Sequence, residues 1–151
     1  MSKITLAFYQ PDIPQNVGAA MRLCACLDIP MHIIEPCGFA WKENEFKRSG
    51  MDYRNHVNLT KFSSWENYTQ NNTGRTILLT TKASAPYTDI QYKTGDTLLL
   101  GRESVGVPQE VHSHVDERVL IPMHGQMRSL NVIHSASMVL GEALRQTTWT
   151  E

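Results

Sequence analysis

A chain of 151 residues has the length of one domain and can bury roughly two-thirds of the surface its unfolded form exposes. With 41% apolar residues and 9 glycines its composition is globular, which excludes disordered, collagen-like and disulfide-scaffold classes. The 14 Lys and Arg nearly balance the 15 Asp and Glu, so a nucleic-acid partner has to be met by a local patch rather than by overall basicity.

Ile4 to Tyr9 predicts a first strand rather than a charged targeting leader. A helix follows at about residues 16–27, then a strand from Met31 to Ile34 and a helix over about 43–49. Val57 to Leu59 predicts a weak third strand, followed by a helix at 63–70 and a strand from Ile77 to Thr80. The stretch from Thr81 to Gly95 holds Pro86 and no amphipathic period, so it predicts a long irregular connection of the kind that is often functional. Thr97 to Leu100 and Val119 to Ile121 complete the strands, with a helix at 108–115 between them.

The last helix, Asn131 to about Gln146, carries Val132, Ala136, Val139, Leu140, Ala143 and Leu144 on one stripe. Gly141 inside it points to a close backbone approach, as by a second subunit, or to a tolerated defect. Short apolar runs alternating with helical segments predict a single α/β domain over residues 1–151, with a mostly parallel sheet covered by helices on both faces. No run approaches the ~18 apolar residues of a membrane helix. Cys24, Cys26 and Cys37 fit reduced thiols in a cytoplasmic protein.

Several familiar chemistries are missing. Gly101-Arg102-Glu103-Ser104-Val105-Gly106 has the glycine spacing of a phosphate loop, but Val107-Pro108 stands in place of its Lys-Ser/Thr pair. There is no GxGxxG fingerprint and no GxSxG elbow. Cys24-x-Cys26 and His112-x-His114 lack a second pair at zinc spacing, so no metal site is expected.

Three strands instead end in small or turn-forming segments: Leu79-Thr80-Thr81-Lys82, Leu100-Gly101-Arg102-Glu103, and Ile121-Pro122-Met123 before His124-Gly125-Gln126. Ser129-Leu130-Asn131 opens the final helix. Ligands of open α/β sheets collect outside the carboxyl ends of strands, where glycine admits a ligand to the backbone and a helix start offers N–H donors. These segments form either a pocket that reads its ligand through backbone groups or, taken singly, ordinary turns and a cap.

Further segments carry a resemblance: Tyr9-Gln10-Pro11-Asp12-Ile13-Pro14-Gln15-Asn16-Val17-Gly18, Arg22-Leu23-Cys24-Ala25, and Ile33-Ile34-Glu35-Pro36-Cys37-Gly38-Phe39-Ala40-Trp41. With the strand ends, Gly101-x-Glu103-Ser104-x-Gly106-Val107-Pro108 and Ser129-Leu130-Asn131, this ordered set resembles the SPOUT class of RNA methyltransferases, in the SpoU branch of ribose 2′-O-methyltransferases. Within that branch it is most similar to small single-domain enzymes of the tRNA wobble nucleotide.

The resemblance implies a C-terminal deep trefoil knot, a homodimer, and S-adenosyl-L-methionine (SAM) held by Leu79, Gly101, Ile121, Met123, Ser129 and Leu130. It implies methyl transfer to the 2′-hydroxyl of cytidine or uridine 34 of tRNA, with another tRNA or rRNA position, or a silent RNA-binding dimer, as alternatives. Arg22 would be the central catalytic residue. A guanidinium does not deprotonate readily, so Arg22 would stabilise the developing alkoxide or grip the adjacent phosphate. Asn16 would orient Arg22 or its loop, and Glu103 would hold the pocket loop. Lys42, Lys47, Arg48 and Arg54, beside Trp41 and Tyr53, form either a tRNA contact or a solvated helix face. Ala19, Arg102, Ile133, His134 and Gly141 depart from the residues more frequent in the family.

Overall fold

Successive side chains of a strand point to opposite faces of its sheet, so an apolar run with no polar alternation must be covered twice. The computed structural model, which describes residues 3–44, 55–125 and 130–149, covers its strands in this way. Its elements run β1 (Thr5–Tyr9), α1 (Pro14–Leu27), β2 (Met31–Ile34), β3 (Leu59–Phe62), α2 (Trp65–Asn71), β4 (Thr76–Leu79), β5 (Thr97–Leu100), α3 (Gln109–His114), β6 (Glu117–Val119) and α4 (Val132–Thr147). The six strands form one sheet in the order β3-β2-β1-β5-β4-β6, every pair parallel.

Leu6, Phe8, Met31, Ile33, Ile77, Leu98 and Leu100 face one side of the sheet. There they meet Val17, Ala20, Met21 and Cys24 of α1 and Ala136, Val139, Leu140 and Ala143 of α4. Ala7, Tyr9, Ile34, Leu78 and Leu99 face the other side, against Tyr68 of α2 and Val111 of α3. The expected α/β architecture with helices on both faces is therefore present.

Helix ends follow local chemistry. Pro14 starts α1, where its missing N–H removes no intrahelical bond, and Asp28 ends it in the left-handed region at φ 55°. Ser64 caps α2 by accepting from the Asn67 N–H at 3.0 Å, and the Asn131 side chain caps α4 by accepting from the Ile133 N–H at 2.8 Å.

Two expectations shift and one lies almost wholly outside the described residues. The third strand is Leu59–Phe62 rather than Val57 to Leu59, because the register pairs Leu59 with Met31 and Phe62 with Ile34, while buried Val57 plugs the approach. The sixth strand is Glu117–Val119 rather than Val119 to Ile121. Its polar start is masked in the sequence because the Arg118 guanidinium leaves the strand to donate to the carbonyls of His112 (2.7 Å) and Val115 (3.3 Å) at the end of α3. Of the helix expected over 43–49, all but Glu43 and Asn44 lies outside the described residues, as do Lys47, Arg48, Tyr53 and Arg54.

The irregular connection between β4 and β5 carries no helix or strand but is tied down at three places. Tyr87 and Ala85 exchange backbone bonds with Leu120, at 2.8 and 2.9 Å. Gln146 of α4 accepts from the Tyr92 N–H at 2.8 Å and donates to the Ile90 carbonyl at 3.2 Å. The Arg75 guanidinium pairs with buried Asp96 at 2.7 Å and donates to the Gln91 carbonyl at 2.8 Å.

Candidate active site

All six strands point their carboxyl ends to one edge of the sheet. From adjacent β1 and β5 the chain leaves over opposite faces, by α1 towards β2 and by α3 towards β6, which opens a crevice at the point where the strand order reverses. A cleft of about 770 Å³ occupies that edge, within the range of about 300–1,000 Å³ usual for small-molecule sites.

The cleft's middle wall is the loop after β5. It is closed at its base by two backbone bonds, from the Arg102 N–H to the Gly106 carbonyl at 3.1 Å and from the Gly106 N–H to the Arg102 carbonyl at 2.9 Å. Two glycines make this possible. Gly106 adopts φ 73°, and a Cβ on Gly101 would stand 2.9 Å from the Gly106 backbone.

The tip of the loop is pinned to the β1–α1 connection. Glu103 accepts from the Asp12 backbone N–H at 2.7 Å and from Asn16 Nδ2 at 3.3 Å. Asp12 Oδ2 in turn accepts from the hydroxyl and backbone N–H of Ser104. Asn131 Nδ2, at the start of α4, approaches Asn16 Oδ1 to 3.5 Å. Behind Asp12, a Cβ on Gly38 would stand 3.2 Å from the Asp12 Cα, so that glycine allows the loop after β2 to close against the site.

Most residues predicted from sequence converge here. Leu79, Gly101, Ile121, Met123 and Leu130 line the cleft, and Asn16 and Glu103 line it with them. Ser129 lies outside the described residues. Arg22 stands on the exposed side of α1, six residues beyond Asn16, and is not among the lining residues of its own chain. The lining also includes Lys82, Gln109 and His112, and the site includes Asp12, none of which had been assigned a role. The signal for Asp12 is its position three residues beyond β1 and two before a helix-starting proline. His112 gave none, since it comes from α3 beneath the loop, where its Nε2 is buried with no hydrogen-bond partner.

Chemically, the cleft joins apolar side chains with backbone groups and three charged side chains, Lys82, Arg102 and Glu103, of which the last two are engaged in bonds within the loop region. Leu130 is 40% exposed at its mouth, an apolar surface that a planar ligand would cover. Such a lining fits an adenosine group, whose ring needs apolar flanks and whose edge is read by N–H and C=O groups.

Among the described residues no group of three or more His, Cys, Asp or Glu could hold a metal. None of the three thiols lines the cleft. Burial pushes Cys24 up to about 12, and burial, with Glu35 adding to it, pushes Cys37 up to about 11. Among the described residues, no helix is long and apolar enough to cross a membrane.

Comparison with known proteins agrees with this arrangement. The model of the SpoU rRNA Methylase family matches residues 3–141. The chain is 55% identical, over 93% of its length and 90% of the relative's, to a tRNA (cytidine(34)-2′-O)-methyltransferase of Beijerinckia indica subsp. indica. It is 34% identical, over 95% and 93%, to the protein of the same name from Escherichia coli strain K12. A solved structure giving "structural insights into the 2-OH methylation of C/U34 on tRNA" superposes with a TM-score of 0.89 at 35% identity, covering 96% of each chain. With its parallel sheet, its reversal-point cleft and relatives spanning nearly its whole length, the chain belongs to the SpoU rRNA Methylase family.

Proposed function

We propose that this chain, a single domain over residues 1–151, transfers the methyl group of SAM to the ribose 2′-hydroxyl of cytidine or uridine 34 in tRNA, in the cytoplasm and as a homodimer. The observation that carries the reading is the cleft itself. Ends of separate strands, distant in sequence, supply one backbone-lined wall with apolar flanks in a chain 55% identical to a named wobble-nucleotide enzyme. Leu79, Gly101, Ile121, Met123, Ser129 and Leu130 hold the cofactor, whose sulfonium supplies the methyl group and the leaving group.

The protein's part is placement. Leu79, Ile121 and Leu130 pack against the adenine and exclude water, while Glu103 fixes the loop that carries the reading groups. Asn16 holds the start of α1 to that loop and to Asn131. Arg22 is exposed and does not line the cleft of its own chain, so in this reading a second copy brings its guanidinium to the ribose. There it stabilises the developing alkoxide as the hydroxyl proton passes to water, or grips the neighbouring phosphate. The fold in this reading includes a C-terminal trefoil knot, which the bonds tying the 81–96 connection to Leu120 and to Gln146 of α4 support. The test is calorimetry with SAM followed by mapping of methylated riboses in tRNA. Saturable binding and a mark at nucleotide 34 are expected. A chain that does not bind SAM at millimolar concentration is a silent module.

A further inference from the structure

We infer that Arg102 is a positioning residue for the cofactor: its side chain clasps the base of the Gly101–Gly106 loop onto the central strand and sets the affinity of the cleft for SAM rather than for RNA. The inference rests on the proposed cofactor site. A loop with glycine at both ends is intrinsically loose, because neither Gly101 nor Gly106 has a Cβ to restrict its backbone. Its tip is held by Glu103 and Ser104 and its base is closed by the two backbone bonds between Arg102 and Gly106, but neither set ties the closed loop to the sheet beneath it, which leaves it to tilt about the glycines.

Arg102 removes that freedom. Its Nε donates to the Gly106 carbonyl at 3.0 Å, the same oxygen that accepts the Arg102 backbone N–H, so one residue supplies both donors to one acceptor. The guanidinium carbon lies 5.5 Å from the centre of the Tyr9 ring, within cation–π range. Tyr9 is buried in the last position of β1, flanked edge-on by Trp65 at 6.1 Å, and cannot follow a moving loop. The side chain is thus fixed at two points, one on the loop and one on the sheet.

Backbone recognition makes such fixing consequential. N–H and C=O groups cannot change rotamer to meet a ligand, so the loop must be in place beforehand or be ordered at the expense of affinity. A cation meant to grip an RNA phosphate is better left free to swing, whereas Arg102 is half-buried and committed within the chain.

Arg102→Gln and Arg102→Lys separate these roles, read by calorimetry with SAM, tRNA binding, and steady-state kinetics on the full chain. Lysine keeps the charge but lacks the Nε donor and the planar group that stacks. Both variants are expected to bind SAM about tenfold more weakly and raise its KM, with kcat at saturating SAM and tRNA affinity unchanged. Unchanged SAM affinity in Arg102→Gln, or full recovery of it in Arg102→Lys, overturns the clasp. Weakened tRNA binding with SAM affinity intact overturns it in favour of a phosphate grip. A wild-type chain that binds no SAM removes the proposed activity as well, an outcome distinct from an indifferent variant. Should the variants not fold, hydrogen exchange on the wild type decides. The Gly106 amide must be protected before SAM is added, and fast exchange there contradicts a loop set in advance.

Discussion

Two carboxylates, Asp12 and Glu103, meet across the cleft loop, each held by N–H or O–H donors of the other's segment. Bonds to ionised acceptors are about twice as strong as neutral ones, so this reciprocal pair fixes the tip of the loop. Replacing Glu103 by glutamine leaves one oxygen for the Asp12 N–H but turns an amide towards Asn16 Nδ2. SAM affinity should then fall by up to about tenfold, as the loss of one charge-assisted bond implies. Calorimetry checks this, with circular dichroism showing an intact fold. Arg22→Ala should behave oppositely, keeping SAM affinity while losing about a hundredfold or more in single-turnover methyl transfer. Wild-type turnover in that variant removes Arg22 from the chemistry. Residues such as Leu79, Gly101 and Ile121 were legible in the sequence because strand ends declare themselves by a break in an apolar run. Asp12 and His112 were not, since their place in the site depends on which loops pack together.

At the level of elements, α4 does more than cover the sheet. Its C-terminal turns hold Gln146 against Ile90 and Tyr92, and Glu142 receives both Arg145 (2.9 Å) and Gln146 (2.7 Å). Hydrogen bonds from Arg145 and then Gln146 lower the Glu142 carboxyl from its ordinary value of 4.5 to about 2. A depressed carboxylate stabilises the fold where it is ionised, above about pH 4.5, and that contribution is lost as the pH falls towards 2. Urea midpoints measured across that window should therefore fall less steeply in Glu142→Gln than in the wild type. Parallel slopes contradict this.

Gly141, which directly precedes Glu142 on the same helix, has open space where a Cβ would stand, so no close approach among the described residues requires it. Gly141→Ala should raise stability by about 1 kcal/mol through helix propensity alone. A loss of stability, with a change in sedimentation, would place a second subunit against that face. The helix itself was legible from its apolar stripe. The sixth strand was displaced by two residues because Glu117 and Arg118 carry polar side chains on an edge strand, and the Arg118 guanidinium is satisfied by the carbonyls of His112 and Val115, which no apolar alternation records.

For the molecule as a whole, alternation of strands and helices announced a parallel sheet, but nothing local announced the order β3-β2-β1-β5-β4-β6. Strand neighbours are chosen by crossovers and by which helix covers which face, and a period of two residues carries no such information. The order has a functional consequence: it puts β1 beside β5, and only that adjacency brings the Asp12 loop against Glu103 and opens the cleft between them. The same adjacency seats Tyr9 beneath Arg102. Arg22 is not among the residues lining the cleft of its own chain, and in the proposed reaction a second copy would supply it.

The most direct measurement is to incubate unmodified tRNA with the purified chain and SAM and to map ribose methylation nucleotide by nucleotide. A 2′-O-methyl group should appear on cytidine or uridine 34 in the presence of SAM and be absent without it. Methylation on a base, on another nucleotide, or none at all with SAM bound would contradict the proposed activity.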